Sequence, residues 1–201
     1  MADEALTIIK GKTYQRELHW ETKTLVYKAI TAITKAGPVV LTVVGHGVPD
    51  GWKVAVVSAG GMRQINAKNW PLRDSDFHVA TALTVDTLAL NGINSTDYTT
   101  YTSGGYVVYY SPQALAGLEA RLQIRASDTS DTILVSLTEL DGIAIDDTAK
   151  TITFTLEPLD TEDYTFSTGV LELEVEDTNG VVTQLLRRDV VVEEEVVKPA
   201  A

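Results

Sequence analysis

The chain holds three imidazoles, His19, His46 and His78, and no cysteine to join them. No HExxH pair occurs, so a zinc site needs ligands from distant loops, and no metal is expected. His46 stands between Gly45 and Gly47 and reads as a turn residue whose imidazole bonds nearby backbone; His19 and His78 read as outward positions on strands. No GxSxG elbow marks a nucleophile. Two carboxylate groups, Asp74-Ser75-Asp76 and Asp141 with Asp146-Asp147, offer the hard oxygens that divalent cations take. Neither has the spacing of an EF-hand loop, and both read as solvated turns. The expectation is a chain that is not an enzyme, with no catalytic residue and no cofactor.

Trp52 and Trp70 are the side chains most suited to recognition. Both lie in glycine- or proline-rich loops, where a large aromatic is costly to expose without purpose. Aromatics so placed stack on sugars or anchor a protein partner. The alternative is that they plug the ends of a β-module.

The elements that must hold these residues are short strands. Glycines punctuate the central stretch at Gly45-His46-Gly47, Asp50-Gly51, Gly60-Gly61 and Gly104-Gly105, with β-branched runs between them. Such glycines mark reversals at positive φ, and the runs are too short and too β-branched for helices. Strands are read at residues 24–34, 39–44, 53–58, 77–81, 86–90 and 106–110, and together they predict a small β-barrel. The segment Val26 to Ile30 going in and Tyr106 to Tyr110 coming out are expected to run side by side, because an inserted module needs its two ends close together.

On either side the pattern is that of half-buried strands. Tyr14, Leu18 and Trp20 alternate with polar residues, with Arg16 out of pattern, and Leu118, Ala120, Leu122 and Ile124 alternate with Glu119, Arg121, Gln123 and Arg125. Ile133 to Thr138, a turn at Asp141-Gly142, Ile143 to Ile145 and Thr151 to Leu156 are read as continuing hairpins, and Asp160 to Asp163 as a solvated link. Residues 170–192 read as a hairpin about Asn179-Gly180, a pair suited to positive φ at both turn positions. Glu193-Glu194-Glu195 reads as an exposed edge that discourages further pairing.

Charge is unevenly spread. Residues 1–24 carry four acids and four bases, residues 25–107 five and six, and residues 108–201 nineteen and six, within a net charge of −12. Such an excess of carboxylates repels nucleic acid, so no nucleic-acid partner is expected. No apolar run reaches the ~18 to 20 residues that span a bilayer, and Met1-Ala2-Asp3-Glu4 lacks the basic start of a signal peptide. A soluble protein made in a cytoplasm, without membrane insertion, is expected.

The central stretch resembles a β-barrel repeat of phage tail proteins, named after the first catalytic cysteine half-domain of ubiquitin-activating enzymes. The residues that carry the likeness are Gly45, His46, Gly47, Gly51, Gly61, Met62, Asn66, Ser95, Thr96, Tyr98, Tyr101, Ser103, Gly104 and Gly105. Trp52 stands where that pattern has an acidic residue, and Ala67 to Pro71 where it has Asn-Gly and a strand. Ubiquitin chemistry is not implied, since a thioester needs a cysteine. The flanking parts resemble the immunoglobulin-like N-terminal domain of phage baseplate upper proteins, at Ile9-x-Gly11-x-Thr13, Leu18-x-Trp20, Leu115 to Arg125, and Thr178-x-Gly180-x-Val182 before Leu185-Leu186.

In that second family the tryptophan strand leads quickly into the Leu115 to Arg125 segment, whereas here about 90 residues intervene. The expected architecture is therefore all-β: an immunoglobulin-like sandwich of residues 1–24 and 108–201, with an inserted small barrel of residues 25–107. The resemblance implies a structural component of a tailed-phage virion, assembled in the host cytoplasm, in the tail tip, baseplate or fibre attachment region. Its partners would be other virion proteins and further copies of itself in a symmetric arrangement. Alternative readings are a carbohydrate- or host-receptor-binding module and a head or neck decoration protein.

Overall fold

The computed structural model describes residues 5–196; the reading of Met1 to Glu4 lies outside them. The protein is all-β and divides into two units, Met1–Trp20 with Ala114–Ala201, and Glu21–Gln113. In chain order the strands are β1 (Leu6–Ile9), β2 (Tyr14–His19), β3 (Glu21–Ala29), β4 (Ala32–Ile33), β5 (Val39–Thr42), β6 (Lys53–Val57), β7 (His78–Thr84), β8 (Thr87–Leu90), β9 (Tyr106–Pro112), β10 (Glu119–Arg125), β11 (Ile133–Thr138), β12 (Ile143–Asp146), β13 (Thr151–Leu156), β14 (Thr168–Glu176) and β15 (Val182–Glu193), with one short helix, α1 (Pro158–Glu162). The borders between the units fall at 20/21 and 113/114, not at 24/25 and 107/108. The reason is that β3 and β9 already pair at Glu21 and Pro112, so the first residues after Trp20 belong to the inserted unit.

The discontinuous unit is a sandwich of a five-stranded sheet, ordered β1-β15-β14-β10-β11, and a three-stranded sheet, β12-β13-β2. The alternating apolar residues face inward from both. Leu122 stands opposite Leu173 and Ile124 opposite Leu171 in one sheet, and Ile152, Phe154 and Leu156 line the other. Directly opposed side chains of this kind are the unit of sheet stabilisation. Arg16, the residue out of pattern, stands opposite the buried Phe154 on the edge strand β2, half-buried, where a long stem can lie on apolar surface with its head in water.

Four local expectations are corrected in this unit. Asp141-Gly142 does not close a hairpin: β11 belongs to the five-stranded sheet and β12 to the three-stranded one, so the turn carries the chain across the sandwich. Thr138 and Asp141 exchange backbone bonds of 3.0 and 2.9 Å there, and Gly142 takes φ +85°. A Cβ on Gly142 would lie 2.9 Å from the Thr155 carbonyl oxygen, which only glycine avoids. Asp160, Glu162 and Asp163 are solvated as expected, but the segment is not a plain link: it lies on and just after α1, where Thr161 is fully buried and its hydroxyl lies 3.0 Å from both the Lys12 and Pro158 carbonyls.

The hairpin about Asn179-Gly180 is also built differently. Only Gly180 has positive φ, and the loop spans five residues between the paired Glu176 and Val182. Asp177 closes it, accepting from the backbone N–H groups of Asn179 and Val181 at 2.8 and 2.9 Å. Farther along, the register shifts between Leu173 and Glu174, whose partners are Leu186 and Gln184. Leu185 is the extra residue, and the bulge lets both Leu185 and Leu186 pack on the core. Last, Glu193 to Glu195 is not an open edge, because β1 pairs parallel with β15 and covers it, and Lys10 and Lys12 form ion pairs with Glu194 and Glu195.

The inserted unit is one seven-stranded sheet, β3-β9-β6-β7-β8-β5-β4, with no closed barrel. Its two edge strands do not pair with each other; they follow one another in the chain. At the break between them, Ile30 N–H donates to Gly105 O at 3.0 Å and Thr31 N–H to Thr42 O at 2.9 Å. Two successive residues thus reach opposite ends of the sheet, which the β-branched pattern of residues 24–34 could not disclose. The core within holds Leu41, Trp52, Val54, Met62, Leu88, Leu90 and Val107, all with almost no exposure.

Candidate functional site

The two tryptophans separate cleanly. Trp52 is 1% exposed, and its indole N–H donates to the Tyr110 carbonyl at 2.9 Å, so it is a core residue of the inserted unit and not a contact for glycan or partner. The cause is the tight turn at Gly51, whose positive φ sends the next residue inward ahead of β6. Trp70 is 73% exposed and stands in the loop that expectation placed in Ala67 to Pro71.

That loop is organised by a carboxylate. Asp76, read from sequence as a solvated turn residue, is 5% exposed. Its oxygens accept the backbone N–H of Lys68 at 2.9 Å, the backbone N–H of Arg73 at 2.9 Å and the side-chain amide of Asn69 at 3.1 and 3.2 Å. These donors, the Arg73 N–H foremost, hold the Asp76 carboxyl below the usual carboxylate range. Upstream, Asn66 grips Ala59 at both backbone groups, 2.8 and 3.0 Å, and Ala67 N–H reaches Val56 O at 2.7 Å. The chain on both sides of Trp70 is therefore pinned. Asp76 was the site residue hardest to find, since an Asp-Ser-Asp run is common in exposed turns; the cluster of amide-bearing and glycine-poor residues just before it was the available signal.

Beside the loop lies a polar cleft of about 610 Å³, lined among others by Gln64, Lys68, Asn69, His78, Asn94 and Tyr98. Three of its amides are half engaged. Gln64 Oε1 accepts from Thr99, Asn94 Oδ1 accepts from the backbone N–H and hydroxyl of Thr96, and Asn69 donates its NH₂ to Asp76. Each bond restrains the amide plane at one end of the group.

The remaining expected site residues are distributed through the fold as supports. Gly45, Gly47, Gly51, Gly104, Gly105 and Gly180 all have positive φ, whereas Asn179 does not. A Cβ on Gly105 would lie 2.8 Å from the Ala59 Cα, so this position also needs glycine for close approach. His46 is buried; its Nδ1 accepts the Val48 N–H at 2.9 Å, and its Nε2 faces the Thr84 carbonyl at 2.9 Å, which makes Nε2 the protonated nitrogen. His46 is thus a clamp between a turn and the β7–β8 hairpin. Tyr109 donates to the His46 carbonyl at 2.7 Å from within the core. His78 stands at the start of β7 on the wall of the cleft, and is partly buried.

Among the other carboxylates, Asp146 Oδ1 caps the turn by accepting from Thr148 and Ala149 N–H, and Asp147 pairs with Lys150 and accepts the Leu115 N–H at 2.6 Å. Among the described residues no three His, Cys, Asp or Glu side chains converge in a way that could hold a metal ion. No helix of the described residues is long and apolar enough to cross a membrane. Exposed apolar side chains gather at one end of the inserted unit, where Val44, Leu83 and Val85 flank a backbone link from Val43 to Asp86. Comparison with known proteins finds no family model and no curated protein that matches this chain.

Proposed function

We propose that the chain is a structural component of a tailed-phage virion, an adaptor in the tail tip, baseplate or fibre attachment region, that acts through protein–protein interfaces and not by catalysis. The observation that supports this reading is the presence of two separately cored β-units in one chain, taken together with the resemblance of each unit's sequence to the residues of a phage-tail pattern. Those residues act as fixings: His46 and Asn66 clamp turns, Ser95 accepts the Ala36 N–H and lies 2.8 Å from Thr34 O, and Tyr101 bonds Ile30 and Gly104 carbonyls. Two units with their own cores give two surfaces that can engage different neighbours. They also differ in charge: the sandwich carries twenty-two acids and nine bases, and the inserted unit six and seven.

The partners in this reading are other virion proteins and symmetric copies of the same chain, assembled in the host cytoplasm. The exposed Val44, Leu83 and Val85 supply apolar contact area of the type that interface centres use. Nucleic acid is disfavoured by the acidic sandwich. The test is mass spectrometry of purified particles from the producing host, followed by cryo-electron microscopy. Recovery of the chain in several copies per particle supports the reading, and its absence from intact particles overturns it.

A further inference from the structure

We propose that the open edge of β11 is a docking groove for an extended, basic peptide segment of a partner protein, which adds to the five-stranded sheet as a further strand. This goes beyond the virion reading and does not rest on it. β11 stands last in its sheet, and β10 is its one strand partner among the described residues. Every second residue of a strand turns its N–H and C=O away from a given neighbour, so an outermost strand offers a row of unpaired donors and acceptors. From Ile133 to Thr138 the strand holds no charged residue and no proline, the side chains that ordinarily guard an edge. Thr138 is taken up by the turn to Asp141, which leaves Ile133 to Leu137 as the open stretch.

A cleft of about 340 Å³ is lined by four consecutive residues of β11, Leu134 to Leu137, and by none of β10. Successive residues face opposite sides of a sheet, so a cleft that touches all four runs along the rim of the strand, on the side away from β10. Beyond the rim the lining is Asp141, Leu156, Asp160, Asp163 and Tyr164. Leu156 is 1% exposed, and the Tyr164 ring stacks on Phe166 with centroids 5.0 Å apart, which gives the cleft a firm apolar ground. α1 is held in place, because the Thr161 hydroxyl lies 3.0 Å from the Lys12 carbonyl, so an entering peptide has little to reorganise.

The carboxylates choose the occupant. Asp141, Asp160 and Asp163 are exposed, no Lys, Arg or His joins them in the lining, and none forms an ion pair among the described residues. The unit around them carries twenty-two acids against nine bases, a field that draws in cationic segments and repels acidic ones. A second copy of this chain would bring the same three carboxylates with its own β11, so like charge opposes that pairing, and the groove fits a basic partner. Main-chain bonds to the open edge then supply affinity, and the aspartates supply selection.

The experiment titrates the purified full chain with a library of capped peptides of about six residues, Lys or Arg alternating with varied residues, and follows the backbone amides by two-dimensional NMR. At least one peptide is expected to shift the amides of Ile133 to Leu137 and slow their hydrogen exchange, with a dissociation constant between about 10 μM and 1 mM. That peptide is then methylated at alternate backbone nitrogens, in two complementary forms. One form loses the donors that face β11 and should bind about tenfold or more weaker, although its charge is unchanged. Asp160→Asn combined with Asp163→Asn should weaken binding about threefold to tenfold and reduce its salt dependence. This variant should melt as the parent does, because both side chains are exposed. Absence of any shift from the whole library at about 5 mM peptide, equal binding by a matched library bearing Glu, or full binding by both methylated forms overturns the proposal. So do shifts in β11 that follow the concentration of the protein alone, which assign the edge to a second copy. None of these outcomes bears on particle composition, which tests the virion reading separately.

Discussion

The indole nitrogen of Trp52 and the carbonyl oxygen of Tyr110 are 2.9 Å apart, a bond that ties the turn at Gly51 to the far end of β9 inside the inserted unit. The ring fills the core among Val54, Met62 and Tyr109. Trp52→Ala removes both volume and bond, and is expected to cost about 3 to 5 kcal/mol. Trp52→Phe keeps most of the volume and leaves one carbonyl without its donor, costing about 1 to 3 kcal/mol. Urea unfolding measures both, and a Trp52→Ala protein as stable as the parent would count against the core assignment.

Asp76 gives the Trp70 loop a dependence on pH whose sign follows from its lowered pKa. A carboxyl held below its unfolded value contributes stability that is fully present above the ordinary value of about 3.9 and is lost as pH falls through the lowered native value. Protection of the Lys68 and Arg73 amides, taken as exchange relative to the intrinsic rate at each pH, should therefore be high at neutral pH and fall only in the acid limb. Asp76→Asn is expected to exchange fast at these amides at every pH. If exchange in the variant matched the parent at pH 7, Asp76 would not be the organiser of the loop.

Tyr164 is the opposite case. Its hydroxyl is buried without a partner among the described residues, and burial, helped by the charge of Asp160, pushes the phenol up to about 12. A group raised above its unfolded value of about 10 gives stability that is present below that value and declines as pH climbs from there toward the native one. Tyr164→Phe removes an orphan hydroxyl, so it should leave stability at pH 7 unchanged or up to about 1 kcal/mol higher. It should also flatten the alkaline decline, with Tyr109, likewise raised by burial, accounting for what remains. A clear loss of stability at pH 7 would mean that the hydroxyl has a partner.

The strands were legible in the sequence where one face is buried, because period-two alternation such as Leu118 to Ile124 has a single cause. Sheet membership was not. Asp141-Gly142 has the composition of a hairpin turn, and only the split of β11 and β12 between two sheets reveals a crossover. The bulge at Leu185 was visible as two adjacent leucines but has no meaning until Leu173 and Leu186 are seen opposite each other. For the candidate site, Trp70 could be named from its loop, whereas Trp52 in a similar loop proved buried. The difference lies in which way one turn directs the chain, a three-dimensional fact that local composition does not carry. Asp76 and the amides of the cleft come together across residues 64–98 and leave no motif in any short window.

The last prediction concerns the inserted unit. Glu21 and Pro112 are partners at the start of the β3–β9 ladder, so the chain enters and leaves at Cα positions about 5 Å apart. The two cores share no residue: one draws on residues up to Trp20 and from Leu115 onward, and the other on residues from Val26 to Tyr109. A short Gly-Ser turn in place of residues 21–113 can therefore join Trp20 to Ala114 without straining the sandwich. The shortened chain is expected to give a β-rich circular dichroism spectrum and one cooperative melt, because β2 still finds β13 and β1 still finds β15. Residues 21–113 alone should also fold, less stably, since the smaller core buries a smaller fraction of its surface. The competing arrangement, two sequential domains divided near Ser111, requires residues 112–201 to fold without β1 and β2. That fragment lacks the strand that covers β15 and one of the two partners of β13, and should remain unfolded or associate through its bare edges. A cooperative melt for residues 112–201, together with an unfolded shortened chain, would falsify the insertion.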